Sequence, residues 1–404
     1  MKIFQTLDDK SECVGIYADE KLLFDFDEFP EGLSHTWKYA SYLRDKDIDY
    51  ASLYLEGRSL KEFVPEYLQD DWQDAATRMA AFKRSLVISQ VDTYENCFFD
   101  LVPPRFLIDF CEIRNKITKY VLQNIPRPER YPFYKKLTQM LEDMTQYTVN
   151  IDRRKVSSYQ KHSKLSNQAN QILSCNPRVQ YNLFGSKTGR LTTKKGSFPI
   201  LTLGKDFRDA IQPQHDYFVE MDFNGAEVRT LLGLLNKDQP ASDVHQFHME
   251  EVFDGNLTRA QAKVAFFAWL YGSRTAISAS EREKLESFYS KDSLLEKYLD
   301  GTTLTTPFKK EIKDVSQHHA LNYLIQSTAA DLCLLQFLKI DHLLRTRGTG
   351  SRVAFLIHDA VVLDIKKEDE HLIKSAVELM SSTKYGKFIV NAMKGKTLGQ
   401  MKRI

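Results

Sequence analysis

Tyr217-Phe218-Val219-Glu220-Met221-Asp222-Phe223 is an apolar run that closes on an acid. The next two residues, Asn224-Gly225, turn the chain into a helical pattern from Ala226 to Leu235, with Val228, Leu231, Leu232 and Leu235 on its apolar side. A strand, a turn and a helix in that order leave Asp222 at a rim, where a carboxylate can hold a cation without lying under the core. Alone, an acid at a strand end is more often a helix cap or a turn former.

A second stretch gives Asp222 a partner. Arg352-Val353-Ala354-Phe355-Leu356-Ile357 and Ala360-Val361-Val362-Leu363-Asp364-Ile365 are two strands joined by His358-Asp359. A hairpin tip can push a carboxylate toward an acid on a neighbouring strand. Two such acids repel unless cations sit between them, and two Mg2+ ions about 4 Å apart would also clamp the attacking and leaving oxygens of a phosphoryl transfer. By itself, His358-Asp359 reads as a polar turn.

The third element is a helix with capping-box form, Thr258-Arg259-Ala260-Gln261. Arg259, Lys263, Phe267 and Tyr271 recur every four residues and share one face, and Gly272 suits its end. Two cations followed by two aromatics suit a triphosphate on the cations with its base against the rings. The plain alternative is an amphipathic helix with snorkelling Lys and Arg. In Thr188-Gly189-Arg190-Leu191-Thr192-Thr193-Lys194-Lys195 the basic residues can grip a backbone, and Arg190 can reach a minor groove. A solvated basic loop is equally compatible with that segment. Asn322 and Gln326 lie one turn apart on a later helix and can donate to base edges, or satisfy each other in a core network.

The chain of 404 residues is long enough for two or three domains, and its 42% hydrophobic and 27% charged residues are ordinary for a globular protein. The net charge of +2 excludes a uniformly basic nucleic-acid binder. Charge is nevertheless segregated: Lys and Arg recur from Arg153 to Lys195 without an Asp or Glu among them. No apolar run reaches membrane-spanning length and Met1-Lys2-Ile3-Phe4-Gln5 does not read as a secretory signal, so a cytoplasmic protein without membrane contact is expected. Five scattered cysteines, without a Cys-x-x-Cys pair, indicate neither a zinc site nor a disulfide framework.

Coarse periodicity predicts a hairpin over residues 13–26, a strand over Tyr50–Leu55, and helices over 72–90, 106–123, 131–146 and 153–174. Pro103-Pro104 reads as a domain break. The expected organisation is an N-terminal α/β domain of unknown role (1–105), a helical connecting or thumb-like region (106–187) and a mixed α/β body (188–404).

Taken together and in this order, the motifs of residues 186–404 resemble the polymerase domain of family A DNA polymerases, the group of bacterial DNA polymerase I and many phage replicases. The resemblance implies an α/β (α+β) right-hand fold, with a palm, fingers inserted at about 237–315 and a reduced thumb. It implies that Asp222 and Asp359, helped by the Phe223 carbonyl, hold two Mg2+ ions, with Mn2+ able to substitute. Glu227 matches the steric gate that selects deoxynucleotides. Arg259, Lys263 and His245 match contacts to the incoming dNTP, with Lys263 also the candidate general acid. Phe267 and Tyr271 match the aromatics beside the nascent base pair. Arg190, Asn322 and Gln326 match residues at the primer terminus and template, and Thr188, Lys194, Lys195 and His358 fall beside them as candidate DNA contacts.

The sequence departs from that pattern at several places. Ala360 replaces the acid that usually follows the His-Asp pair, Phe266 and Ala268 replace a common Asn-Phe-Gly pattern around Phe267, Gly225 replaces a polar residue, and His318 replaces an Arg. Only about forty residues separate Ile151-Asp152 from the Thr-Gly-Arg turn, where the family normally places a long thumb. The thumb is therefore expected to be very short, or rebuilt from helices within 106–150, and a weak grip on primer-template DNA follows unless a processivity or replisome partner clamps it. Asp25-Phe26-Asp27-Glu28 lacks matching second and third acidic motifs, so no 3′–5′ exonuclease is expected. A short replicase of this kind suggests a virus or mobile element. The rival expectations are a single-subunit RNA polymerase, against which Glu227 and Phe267 argue, and a DNA-binding relative that has lost catalysis, suggested by Ala360.

Overall fold

The computed structural model describes residues 1–9, 12–93, 95–273 and 275–404. The chain divides into two compact units, Met1–Gln146 and Tyr147–Ile404.

The first unit is built on a five-stranded mixed sheet, in the spatial order Lys21–Leu23, Glu12–Ala18, Lys2–Asp9, Leu33–Thr36, Asp49–Tyr50. Strand Lys2–Asp9 runs antiparallel to Glu12–Ala18 and parallel to Leu33–Thr36. The expected hairpin turns at Asp19-Glu20, both in the left-handed region (φ 48° and 65°), with Ala18 opposite Lys21. Two positive φ angles in a two-residue loop match the right-handed twist of the flanking strands.

Two expectations need correction here. The strand predicted over Tyr50–Leu55 ends at Tyr50, and Ala51–Leu55 is a 3-10 helix. Leu53, Tyr54 and Leu55 are all buried, which one face of a strand cannot achieve for consecutive residues. The division at Gln146 also falls well beyond Pro103-Pro104. Pro104 opens helix Pro104–Asn124, where a first-turn proline loses no hydrogen bond. That helix and Tyr131–Thr145 are bonded to the N-terminal sheet: Asn115 accepts from the Trp37 indole at 2.7 Å and donates to the Ile3 carbonyl at 3.2 Å, and the Tyr131 hydroxyl donates to Asp49 at 2.7 Å.

The second unit centres on an antiparallel sheet in the order Arg352–Ile357, Ala360–Ile365, Tyr217–Phe223, Val390–Gly395, Met401–Arg403. Its middle strand is the apolar run that ends on Asp222. The thirty-residue helix Gln317–Thr346 buries Leu332, Phe337 and Ile340. Its N-terminal half, through Leu321, Leu324 and Ile325, joins a second core with Phe266, Trp269 and Tyr289. Much of that core lies in the segment expected to form fingers, which includes helices Arg259–Leu270, Ala279–Tyr289 and Lys291–Tyr298 and a small sheet over 299–312.

The single helix expected over 153–174 is two, Arg153–Ser158 and Ser166–Ser174. The Ser158 hydroxyl donates to the Lys155 carbonyl at 2.7 Å, the kind of local bond that competes with helix continuation. The mixture of helices and sheets agrees with the α/β class read from the sequence. Among the described residues no helix is long and apolar enough to cross a membrane.

Candidate active site

Six ladder pairs fix Asp222. Strand Tyr217–Phe223 pairs with Ala360–Ile365 from Tyr217↔Ile365 to Asp222↔Ala360. Because Ile357 pairs with Ala360, His358-Asp359 is a two-residue turn, and His358 takes a left-handed φ of 57°. Asp222 therefore faces the residue next to Asp359, and two acids far apart in sequence meet at one end of the sheet. His358 is exposed and Asp359 half-buried. Phe223 is buried edge-on against Phe388, with centroids 5.8 Å apart.

The electrostatics follow from that meeting. Burial, then the charges of Asp359 and Glu220, push the Asp222 carboxyl up to about 7, with Lys263 opposing them. Burial likewise raises Asp359, against a backbone hydrogen bond and the charges of Arg190 and Lys263. Two hard oxygen donors that resist ionising beside one another fit divalent cations, which would relieve both burdens. Asp222 and Asp359 are the residues that would hold them. Glu220, two residues before Asp222, adds negative charge that its unremarkable place in the apolar run gave no reason to single out.

Helix Arg259–Leu270 begins with the expected capping box: Gln261 accepts from the Thr258 amide, and Thr258 accepts from the Gln261 amide. Its predicted face is real. Phe267 and Tyr271 stack, with centroids 5.8 Å apart and planes 19° off parallel, whereas Phe266 turns into the core and stacks on His248. Lys263 is exposed, and its charge favours ionisation of both acids. Arg259 is held by Asp243 through two hydrogen bonds, from Nε at 2.9 Å and Nη2 at 2.7 Å. Burial opposes ionisation of Asp243, but Arg259, Asn224 and the Gln246 amide outweigh it and hold the carboxyl well below the usual range. His245 is buried beside Phe267, and burial together with Lys263 pulls its pKa down to about 4.

A cavity of about 260 Å3 opens between these elements and is lined by Arg190, Glu227, Phe267, Tyr271, Gln326 and Asp359, among others. Glu227, only 8% exposed in the first turn of its helix, forms an ion pair with Arg190. Burial raises the Glu227 pKa, while Arg190 and a hydrogen bond from Tyr271 lower it. The structure thus joins two residues that the sequence presented separately. Lys194 and Lys195 are exposed on the adjacent segment, whereas Thr188 is buried and does not offer its side chain to solvent. Asn322 is half-buried, and its Oδ1 has no hydrogen-bond partner among the described residues. Ala360 is buried opposite Asp222, a methyl group at the edge of the acid pair.

Sequence reasoning missed Asp243 as more than a neighbour of His245, and it missed Arg229. That arginine is fully buried and donates to the carbonyls of Asn224 (2.7 Å), Pro240 (3.0 Å) and Ser242 (2.8 Å) and to Asn224 Oδ1 (3.2 Å). It ties the turn after Asp222 to the segment that carries Asp243. A cation among the apolar residues of the 226–235 helix was the available signal, since an arginine there needs several partners.

Residues 305–397 match the family model described as DNA polymerase family A. DNA polymerase I of Chloroflexus aurantiacus is 24% identical over 302 residues, covering 62% of this chain and 32% of that protein. DNA polymerase I of Caldicellulosiruptor bescii is 23% identical over 239 residues, covering 48% and 28%. The enzyme of that name from Aquifex aeolicus is 24% identical over 248 residues, covering 52% and 43%. The chain thus spans less than half the length of each of these relatives. Among solved structures, the POL domain of Pol1 from M. smegmatis, in complex with DNA primer-template and dNTP, superposes with a TM-score of 0.58 at 14% identity. The superposition covers 73% of this chain and 76% of that one.

Proposed function

With the chain related to the family A DNA polymerases in sequence and fold, we propose that it is a template-directed DNA polymerase that adds dNTPs to a primer 3′-hydroxyl. The observation that carries this reading is the meeting of Asp222 and Asp359 beside a helix whose exposed face runs Arg259, Lys263, Phe267, Tyr271.

In this reading Asp222 and Asp359, with the Phe223 carbonyl, hold two Mg2+ ions. Bound there, the metal supplies Lewis-acid stabilisation of charge on the reacting phosphate oxygens. Arg259 and Lys263 hold the triphosphate, with His245 beside them, and Lys263 gives its proton to the departing pyrophosphate. Phe267 and Tyr271 stack against the nascent pair. The Glu227 carboxylate, fixed by Arg190, occupies the space a 2′-hydroxyl would need, which excludes ribonucleotides. Gln326, Asn322 and Arg190 read the minor groove at the primer end, and Lys194, Lys195 and His358 lie along the strand path.

We also propose that the enzyme does not proofread. Two-metal hydrolysis needs converging carboxylates. The middle strand of the first unit carries Phe4, Gln5, Thr6 and Leu7 at its centre, where Leu7 packs with Tyr17, Leu107 and Cys111, and its acids Asp8 and Asp9 stand only at its end. The Asp27-Glu28 pair is exposed on a 3-10 turn. The two short helices between Arg153 and Ser174 support the reading of a reduced thumb and of a processivity partner that replaces it. A cytoplasmic site of action, that of a host cell for a viral protein, is part of the same proposal.

The test is extension of a labelled primer-template with Mg2+, with dNTPs against rNTPs. Extension with dNTPs alone supports the reading. Extension with rNTPs moves the assignment to RNA synthesis. Binding without extension, for which buried Ala360 opposite Asp222 is the motive, would leave a degenerate DNA-binding relative.

A further inference from the structure

The segment that carries Arg190 is pinned to the strand that leads to Asp359. Tyr181 pairs with Thr193 and Asn182 with Thr192, so residues 183–191 are the loop of a hairpin and the Thr-Gly-Arg turn lies within it. The Lys194 amide donates to the Gln180 carbonyl at 2.8 Å and extends the ladder at its base. Inside the loop, Asn182 Oδ1 accepts from the Phe184 amide at 3.1 Å, the Gly189 amide donates to the Ser186 carbonyl at 3.2 Å, and the Ser186 hydroxyl donates to the Arg190 carbonyl at 2.8 Å. The loop folds so closely onto its own strand that a Cβ added at Gly185 would overlap the Thr192 hydroxyl. Arg190 is therefore carried on a stiff arm.

Tyr181 stands buried at the base of that arm. Its hydroxyl donates to the Leu356 carbonyl and accepts from the Leu356 amide, both at 2.8 Å. Strand Arg352–Ile357 is the outer strand of its sheet, so these two groups have no ladder partner on that side. One phenol, a donor and an acceptor at once, stands in for the missing strand. Leu356 lies three residues before Asp359. The same hydroxyl thus joins the arm of Arg190 to the hairpin of Asp359.

We propose that Tyr181 is a positioning residue that couples Arg190 to Asp359, so that Asp359 is held in place when Arg190 is seated on a correctly paired primer end and shifts when that end is mispaired. The inference rests on the polymerase reading, in which Arg190 meets the terminal primer base in the minor groove. A mispair moves the groove acceptors that a guanidinium can reach. The stiff loop passes that displacement to Tyr181, and two hydrogen bonds pass it to Leu356. A misplacement of about 1 Å among reacting groups costs about a hundredfold in rate, so a fraction of that distance suffices.

The experiment compares single-turnover extension from a paired and from a mispaired primer end, in wild type and in Tyr181→Phe. Phenylalanine keeps the ring and removes both bonds. The variant should extend the paired end about tenfold more slowly and the mispaired end within about twofold of wild type, so that discrimination between the two falls at least about fivefold. Arg190→Ala should lower discrimination as well, and adding Tyr181→Phe to it should lower it no further. Ser186→Ala loosens only the loop's hold on Arg190 and leaves the buried bonds intact. It should move discrimination in the same direction, and it decides the matter if Tyr181→Phe does not fold. Equal slowing at both ends, independent losses in the double variant, or discrimination untouched by Ser186→Ala overturns the proposal and leaves the polymerase reading intact. Wild type that extends neither end overturns both.

Discussion

Asp243 accepts both hydrogen bonds that Arg259 sends from Nε and Nη2, at 2.9 and 2.7 Å, while also accepting from Asn224 and from the amides of His245 and Gln246. One carboxylate thus sets the direction of a guanidinium assigned to the incoming triphosphate. Asp243→Asn keeps an acceptor for the amides but loses the charge-assisted pair. The expected result is a rise of about tenfold in the dNTP KM with a smaller change in kcat. Steady-state kinetics over a dNTP series check this, and an unchanged KM would remove Asp243 from the binding of Arg259.

Asp222 and Asp359 meet because Asp222 pairs with Ala360. Asp222→Ala or Asp359→Ala should abolish extension, with a loss of about a thousandfold or more. Both variants should remain folded, since each removes a half-buried charge that its surroundings disfavour. Single-turnover extension and a thermal melt separate the two effects. Residual extension near the wild-type rate in either variant would contradict the metal-ligand assignment.

Glu227 and Arg190 are paired at the cavity. Glu227→Ala should admit ribonucleotides, narrowing the preference for dNTPs by at least about tenfold, the scale of one lost discriminating contact. It also leaves Arg190 without its carboxylate, so dNTP incorporation should fall as well. Competition between dATP and ATP opposite a template T measures the first effect. Unaltered selectivity would show that the gate lies elsewhere.

His248 is buried, stacked on Phe266 and hydrogen-bonded to Tyr289, and burial pulls its pKa down to about 3. Unfolded, it would titrate near 6.5. Below that pH the unfolded chain takes up a proton that the folded chain refuses, so stability is full above about 6.5 and falls as the solution is acidified toward 3. The slope approaches about 1.4 kcal/mol per pH unit for this group. His245, lowered to about 4, acts in the same direction. Thermal melts of wild type and His248→Gln between pH 7.5 and 5 provide the check. The variant should be less stable at pH 7.5 and lose less on acidification, and parallel curves would sink the account.

Much of the site was legible because its signals are local. The capping box of Thr258 and Gln261, the four-residue spacing of Arg259, Lys263, Phe267 and Tyr271, and the two-residue His358-Asp359 turn depend on neighbours a few residues away, and each takes the form its spacing implies. Tyr50–Leu55 was misread because consecutive burial, rather than alternation, decides between strand and 3-10 helix, and burial is not written in the segment. Thr188 reads as a polar loop residue but is covered by the fold.

The sequence alone determined where each acid, cation and ring stands on its own strand, turn or helix, since helical and strand periodicity follow from the backbone. Only the tertiary structure decided which of them meet. The pairing of Asp222 with Ala360 joins segments far apart in the chain, and the hold of Asp243 on Arg259 and the burial of Arg229 among four oxygens join separate elements. Such contacts depend on the packing of apolar faces against one another, and that packing fixes a register and a distance that no local pattern encodes.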